Sequence, residues 1–450
     1  MPTLALSPSV KHPTEPLPNQ RRRHTIDMRH VATIILGGGQ GSRLAPLTTT
    51  CCKPAISYGG RYRLIDIPVS NSINSGCQKI FVLTQFLSRS LHQHLFSTYR
   101  LDHFSAGFIE VLTAEEKPHT KAWFQGTADA VRQNLEYFIE TPADYFLILS
   151  GDQLYHMDFR NMLQFAYETE ADVVISCLPI GEAEAKRMGV MQIGEDNFIT
   201  AFHEKPQQRR DLNKMKLSAS ESRRLRIDPT MKLDYLGSMG IYLFKRKALI
   251  DLLLKDPRED FGKHLIPTKV QEGNIAAYIH QGYWEDIGTI ESFYKANMAL
   301  TTQTPPFNCY NEEWPIYTHH NTLPGARISN TQINNSIICE GAIVDADEIT
   351  HSIIGQRSVI GKDTIISDSF LMGNDFYTLH AENSNLPQKF QIGHHCIIRK
   401  AILDKNVHIG NHVQLINKDK RTHYDGHNIS IRDGIIIVPR GATIPDGFIL

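Results

Sequence analysis

The sequence has no apolar run approaching the roughly 18 residues that a membrane-spanning helix requires, so a bundle of such helices is excluded. It has little cysteine: seven, at positions 51, 52, 77, 177, 309, 339 and 396, scattered and odd in number. No CxxC pair occurs, so a disulfide framework and a thiolate metal site both fit poorly and a reducing compartment fits better. Neither sign of charge is in excess, with 47 Lys plus Arg against 48 Asp plus Glu, so nothing global draws the chain to nucleic acid. Its first residues lack the apolar core of a secretory signal. What is present, in 450 residues, is length for two or three domains and at least one sizeable core.

Residues 1–30 hold five prolines and an Arg21-Arg22-Arg23 run without apolar periodicity, and read as a disordered basic tail. The tail is basic like a transit peptide but short and poor in serine, so a cytoplasmic location is expected, with a plastid as the alternative. From 31 to 300 apolar strands (33–36, 80–84, 145–150, 172–178 and 241–244) alternate with helical patterns. Ala128, Val131, Leu135, Phe138 and Ile139 form one such pattern; Phe293, Ala296, Asn297 and Leu300 form a weaker one. That alternation predicts a Rossmann-like α/β domain, mostly parallel, with its ligand site at the carboxyl ends of the strands. Residues 301–324, rich in Thr, Pro and Asn, read as a linker. Beyond them Ile337, Ile343 and Ile349 step by six, as do Val359, Ile365 and Leu371, then Ile397, Leu403, Ile409 and Leu415; Gly355 and Gly361 keep the same step. A six-residue apolar period predicts a hexapeptide parallel β-helix over 325–450, against ordinary antiparallel strands, which would alternate with period two.

The chemistry gathers at strand ends. In ATIILGGGQGSRLAPLTTTCCKPA, which begins at Ala32, Gly37, Gly38, Gly39 and Gly41 follow the first strand and could converge backbone amides on an anion. The glycines alone nearly fit a dinucleotide fingerprint and lack the GK[ST] ending of a P-loop. Arg43 and Lys53 add two cations that could flank a polyphosphate, with Pro54 stiffening the backbone beside the lysine. Asp152, in SGDQLY, ends another strand at the same sheet edge and suits Mg²⁺ held against phosphates; Asp286, in GYWEDIG, is the candidate partner carboxylate. Taken singly, each aspartate is more often a cap or turn residue.

Together with GGRYRLID (59–66), WFQGTADAVRQN (123–134), HEKP (203–206), GSMGIY (237–242) and YWEDIGTIESFYKAN, these stretches resemble the ADP-glucose pyrophosphorylase family in order from residue 31 to the end. The resemblance implies a nucleotidyltransferase α/β domain followed by a left-handed β-helix and a homotetramer. It implies ATP and glucose 1-phosphate as substrates, ADP-glucose and pyrophosphate as products, and Mg²⁺ as the ion. It puts Arg43 and Lys53 on the triphosphate and Asp152 and Asp286 on the metal. Gln85, Gly126 and Thr127 match the base-binding edge; Phe124, Gly189, Glu204, Lys205 and Ser238 match the sugar-phosphate pocket. For these last residues a bland reading stands beside the functional one: Phe124 as core, Ser238 as a strand hydroxyl, Lys205-Pro206 as a surface turn.

The resemblance departs from one branch of the family in regulation. Members activated by a sugar bisphosphate carry a lysine where this chain has Thr50, beside Cys51 and Cys52. Lys405 and Arg440 match the positions through which other members bind 3-phosphoglycerate, so anionic metabolite effectors are expected there. Residues 206–232, with eight Lys/Arg against three acidic residues, read as a solvated insertion or as a basic lid. Three alternatives remain: another sugar-1-phosphate nucleotidyltransferase, a noncatalytic regulatory subunit of the same fold, and a structural oligomerisation protein.

Overall fold

The computed structural model describes residues 26–101, 107–115, 123–379 and 388–450; most of the expected tail lies outside them. The part of that tail within them, residues 26–30, ends in a short 3₁₀ turn, Met28–His30, with Met28 buried. The strand Val31–Leu36 lies between Lys79–Thr84 and Tyr145–Ser150 and is parallel to both, and Phe108–Thr113 extends this parallel half. Alternate side chains feed different layers, as period-two geometry requires: Ile35, Leu147 and Leu149 join one core, Ile34, Phe146 and Ile148 the other. The other half turns on the 11-residue strand Tyr235–Lys245, antiparallel to Tyr145–Ser150, Val173–Ile180 and Gly189–Ile193. The sequence pattern showed only its last part because the register shifts between Ser238 and Ile241, where Gly240 takes φ 70°.

The pattern over 128–139 resolves into two helices, Thr127–Gln133 and Leu135–Glu140, with Asn134 out of helical geometry between them. The basic 206–232 stretch is packed rather than merely solvated. It folds as Arg209–Lys214 and Ala219–Arg224 and buries Leu212, Met215 and Leu217.

The second domain is a parallel β-helix with three strand faces. Ile343 pairs with Val359 and Ile349 with Ile366, so a coil takes 16 or 17 residues, not the 18 of three full hexads. The short corners shift the phase of the pattern. Val344, Ile360, Ile366 and Ile398 fill the solenoid core, while their neighbours Ile343, Val359, Ile365 and Ile397 are only half-buried.

One β-helix face closes onto the first domain. Ile353, Phe370, Ile402, Ile435 and Ile437 share a core with the helix Ile290–Ala299, and Phe293 meets Phe370 at 5.9 Å between ring centroids. Gly60, at φ 75°, permits this approach, because a Cβ there would lie 2.7 Å from the Cys339 sulfur. Residues 301–324 carry no regular structure yet are anchored along the first domain. Phe307 packs against Tyr58 and stacks on His156, Trp314 donates to Asn71 at 2.7 Å, and the Tyr317 amide donates to Ser70 at 2.8 Å. Among the described residues no helix is long and apolar enough to cross a membrane.

Candidate functional site

The carboxyl ends of the central strands open into a cleft of about 720 Å³. The glycine loop begins under backbone restraint: the Gly37 amide donates to the Leu83 carbonyl at 2.8 Å and the Gly151 amide to Leu36 at 3.0 Å. Pro54 packs against both glycines, and a Cβ at Gly151 would lie 3.1 Å from its ring. Gly41 takes φ 64°, and a Cβ there would meet the Thr48 methyl at 2.9 Å, so this turn demands glycine. Gly37 and Gly41 shape the loop from behind, whereas Gly38, Gly39 and Arg43 face the cleft.

Lys53 opens a 3₁₀ turn and is buried, with its ammonium between two carboxylates. It pairs directly with Asp152 and lies 3.7 Å from Asp286 Oδ1. Asp152 is placed by the end of Tyr145–Ser150 and also accepts from the Ser150 hydroxyl. Asp286 is placed by the short strand Trp284–Asp286, which pairs with Gln153–Tyr155 and so brings the two aspartates to one edge. Burial alone would raise the Asp152 carboxyl, but Lys53 and Ser150 more than offset it and hold it below its ordinary value. Burial, and then the Asp152 charge, push Asp286 the other way, against the opposing Lys53 and Arg43. The pair is thus split in acidity, as expected of two carboxylates sharing one cation.

The opposite wall holds the expected sugar-phosphate residues. Gly189 and Glu204 are register partners at the end of an antiparallel pair. Glu204 is boxed by two glycines: a Cβ at Gly189 would lie 2.7 Å from its Oε2, and one at Gly262 would lie 2.9 Å away. Lys205 takes φ 46°, its amide donates to the Met188 carbonyl, and its ammonium pairs with Glu204 at 3.0 Å. Ser238 is buried at the bulge and accepts from the Gly240 amide, and Phe124 is a buried part of the cleft lining.

At the base-binding edge Gln85 donates to the Gly38 carbonyl at 2.9 Å, which leaves its Oε1 buried and without a partner. Such an acceptor is costly unless a ligand donor completes it. Gly126 allows a close passage, since a Cβ would fall 2.4 Å from the Glu259 carbonyl. That carbonyl takes the Ala128 and Asp129 amides, so the helix start is satisfied internally; the Thr127 hydroxyl is engaged by Asp260 and the Phe261 amide. Asp260, Phe261, Gly262, Trp284 and Arg187 also line the cleft and were not singled out by the sequence reading. Trp284 lies within the YWEDIG motif, and the others had no sequence signal beyond position between elements.

Lys405 and Arg440 lie outside this cleft, at the junction of the domains. Both hold Asp375: Lys405 Nζ at 2.8 Å from Oδ1, Arg440 Nη1 at 3.1 Å from Oδ2. Burial works against the Asp375 charge, yet the two cations bring its carboxyl down to about 2. Burial pushes the Lys405 ammonium down and the Asp404 carboxyl up. Arg63, from the first domain, adds positive charge at Lys405, and Arg440 Nε is buried without a hydrogen bond, 4.0 Å from Asp404 Oδ1. Cys51 lies within range of the Asp404 and Arg440 charges, and burial drives its thiol up to about 12. The junction cluster therefore abuts the stretch that joins Arg43 to Lys53.

A nucleotide-handling α/β sheet whose strand ends carry this cation and carboxylate set defines a nucleotidyltransferase, and residues 32–303 match the nucleotidyl transferase family model, to which the chain belongs. Residues 321–449 match the GLGC left-handed parallel beta-helix domain. This pairing is the signature architecture of ADP-glucose pyrophosphorylase.

Proposed function

We propose that the protein joins ATP and α-D-glucose 1-phosphate to give ADP-glucose and pyrophosphate, as a step toward α-glucan synthesis. The observation that carries this reading is Lys53 between Asp152 and Asp286, facing Glu204 and Lys205 across one cleft. A phosphate oxygen of the sugar phosphate attacks the α-phosphorus in line; the new P–O bond forms as the α–β bridging bond breaks, and pyrophosphate leaves with the electron pair. No protein nucleophile is required, so the residues act by positioning and by charge. Arg43 and Lys53 hold the triphosphate against the glycine loop. Lys205 holds the sugar phosphate, Glu204 accepts from sugar hydroxyls, and Gln85 Oε1 accepts a hydrogen bond from the base.

Asp152 and Asp286 would hold Mg²⁺. Two carboxylates around one lysine suit a hard cation that keeps waters and takes its remaining ligands from phosphate. Among the described residues no cluster of three or more His, Cys, Asp or Glu offers a competing metal cage. When bound there, the ion neutralises charge on the phosphate oxygens as a Lewis acid.

We read the junction as the effector site, where an anion such as 3-phosphoglycerate takes the place of Asp375 on Lys405 and Arg440, and we read the β-helix as a contact surface of a homotetramer. Steady-state turnover with a nucleotide panel and glucose 1-phosphate tests the reaction: a preference for ATP is expected, and the absence of turnover with every nucleotide refutes it. Effector titration of wild type and Lys405→Ala tests the regulation. Activation by 3-phosphoglycerate in the wild type alone is expected; identical unresponsiveness refutes it.

A further inference from the structure

The cleft holds four cations with different commitments. Lys53 is taken by Asp152 and Lys205 by Glu204. Among the described residues the other two, Arg43 and Arg187, have no hydrogen bond or ion pair for their guanidinium groups. They come from opposite walls. Arg43 follows the glycine loop, and its guanidinium lies beside Gly288, where a Cβ would be 3.5 Å from Nη2. Arg187 sits in the turn between Glu182–Ala185 and Gly189–Ile193.

That turn is rigid at its backbone. The Arg187 and Met188 amides donate to Glu184 at 2.8 and 3.1 Å, and the Met188 carbonyl receives the Lys205 amide at 3.0 Å. Arg187 is therefore fixed one residue from the peptide that positions Lys205, with an exposed side chain that lines the cleft. Its charge reaches Asp286 and Glu285 across the opening. A guanidinium kept without a carboxylate partner beside a phosphate-binding lysine matches phosphate geometry with two donors, which an ammonium does not.

We propose that Arg187 is a substrate-contacting residue that binds the phosphate of the sugar phosphate together with Lys205, so that each anionic reactant meets one unpaired arginine: Arg43 for the nucleotide, Arg187 for the sugar phosphate. This rests on the proposed reaction. It adds a residue to the sugar-phosphate side, and it makes the charge of that pocket depend on a turn outside the motifs that define the cleft.

The test is Arg187→Ala and Arg187→Lys beside wild type, with KM measured separately for ATP and glucose 1-phosphate and glucose 1-phosphate binding measured by calorimetry. In Arg187→Ala we expect the KM and the dissociation constant for glucose 1-phosphate to rise by about tenfold, with the KM for ATP within about twofold. Arg187→Lys should recover part of the loss. An unchanged KM and dissociation constant for glucose 1-phosphate in a variant with a wild-type circular-dichroism spectrum overturns the proposal. An equal rise for ATP overturns the sugar-side assignment and leaves only a general field effect. Absence of turnover in the wild type would instead bring down the reading of the reaction, and this proposal with it.

Discussion

In the cleft one cation lies between two carboxylates, Lys53 between Asp152 and Asp286; at the junction of the domains the arrangement is inverted, with Asp375 held by Lys405 and Arg440. Counted over these direct ion pairs alone, the first cluster has two carboxylates to one cation; the second has two cations on Asp375, with Arg63 nearby and Asp404 4.0 Å from Arg440. Each is a partly compensated buried charge set, and each invites the ion that would complete it: a divalent cation in the cleft, an anion at the junction. On the proposed reading, the same residue types would serve opposite ligands through the ratio of charges in each ion-pair set. A short piece of chain runs between the two clusters: Cys51, two residues before Lys53, lies within range of the Asp404 and Arg440 charges.

The largest way to break this comparison is to remove charge from the cleft. Asp152→Asn keeps the shape and the Ser150 contact but leaves Lys53 with only the more distant Asp286. Turnover is expected to fall by about 10²- to 10³-fold, as when a single preorganised electrostatic group is lost. Circular dichroism should show a folded protein. A folded variant with near-wild-type synthesis would mean that the cleft carboxylates hold no ion the reaction needs.

The matching change at the junction has the opposite sign. Asp375→Asn removes the nearer anion, leaving Lys405 without its ion-pair partner and Arg440 with only the more distant Asp404. An added anion should then bind more tightly, by about tenfold, since it no longer displaces a carboxylate. The readout is the half-activating concentration of 3-phosphoglycerate, with inorganic phosphate as a second probe. Weaker binding of both would mean that Asp375 builds the site rather than fills it.

Much of the cleft was legible because its chemistry follows strand ends. Gly37 to Gly41 and Asp152 each lie within a few residues of a strand that periodicity identifies, whereas Lys53, well past Leu36, was marked by the Lys53-Pro54 pair that follows the glycine loop. Asp286 follows a strand too short for periodicity to show, and the motif around it supplied the signal. Arg187 had neither, since it is one charge in the run EAEAKR and its role depends on what a sheet edge brings near it. The β-helix was legible as a repeat but not in phase. Corner residues set the coil at 16 or 17, so a strict step of six drifts from Val344 and Ile360, which are buried, to Ile343 and Val359, which are not. The junction was the least legible part. Asp375 and Arg63 belong to different domains, and their surroundings meet through the packing of one β-helix face on the first domain, Phe370 on Phe293 among others.

The smallest effect separates the clusters by acid. Asp375 is held at about 2, below the ordinary 3.8, with burial opposing its charge and Lys405 and Arg440 favouring it. A carboxylate with a depressed folded-state value contributes stability in full above the unfolded value and loses it as pH falls through the folded one. The difference in melting temperature between wild type and Asp375→Asn should therefore be constant above about pH 5 and shrink toward zero between about pH 4 and 2. Asp286 is displaced upward instead, by burial and by the Asp152 charge, so Asp286→Asn should converge on the wild type from the opposite side and at higher pH. It relieves a charge that folding disfavours, and the variant should match or exceed wild-type stability at neutral pH, with the gap closing as Asp286 protonates at higher pH than Asp375 does. If both variants converged on the wild type over the same pH interval, the two carboxylates would share one environment, and the inversion between cleft and junction would not be a difference in charge balance.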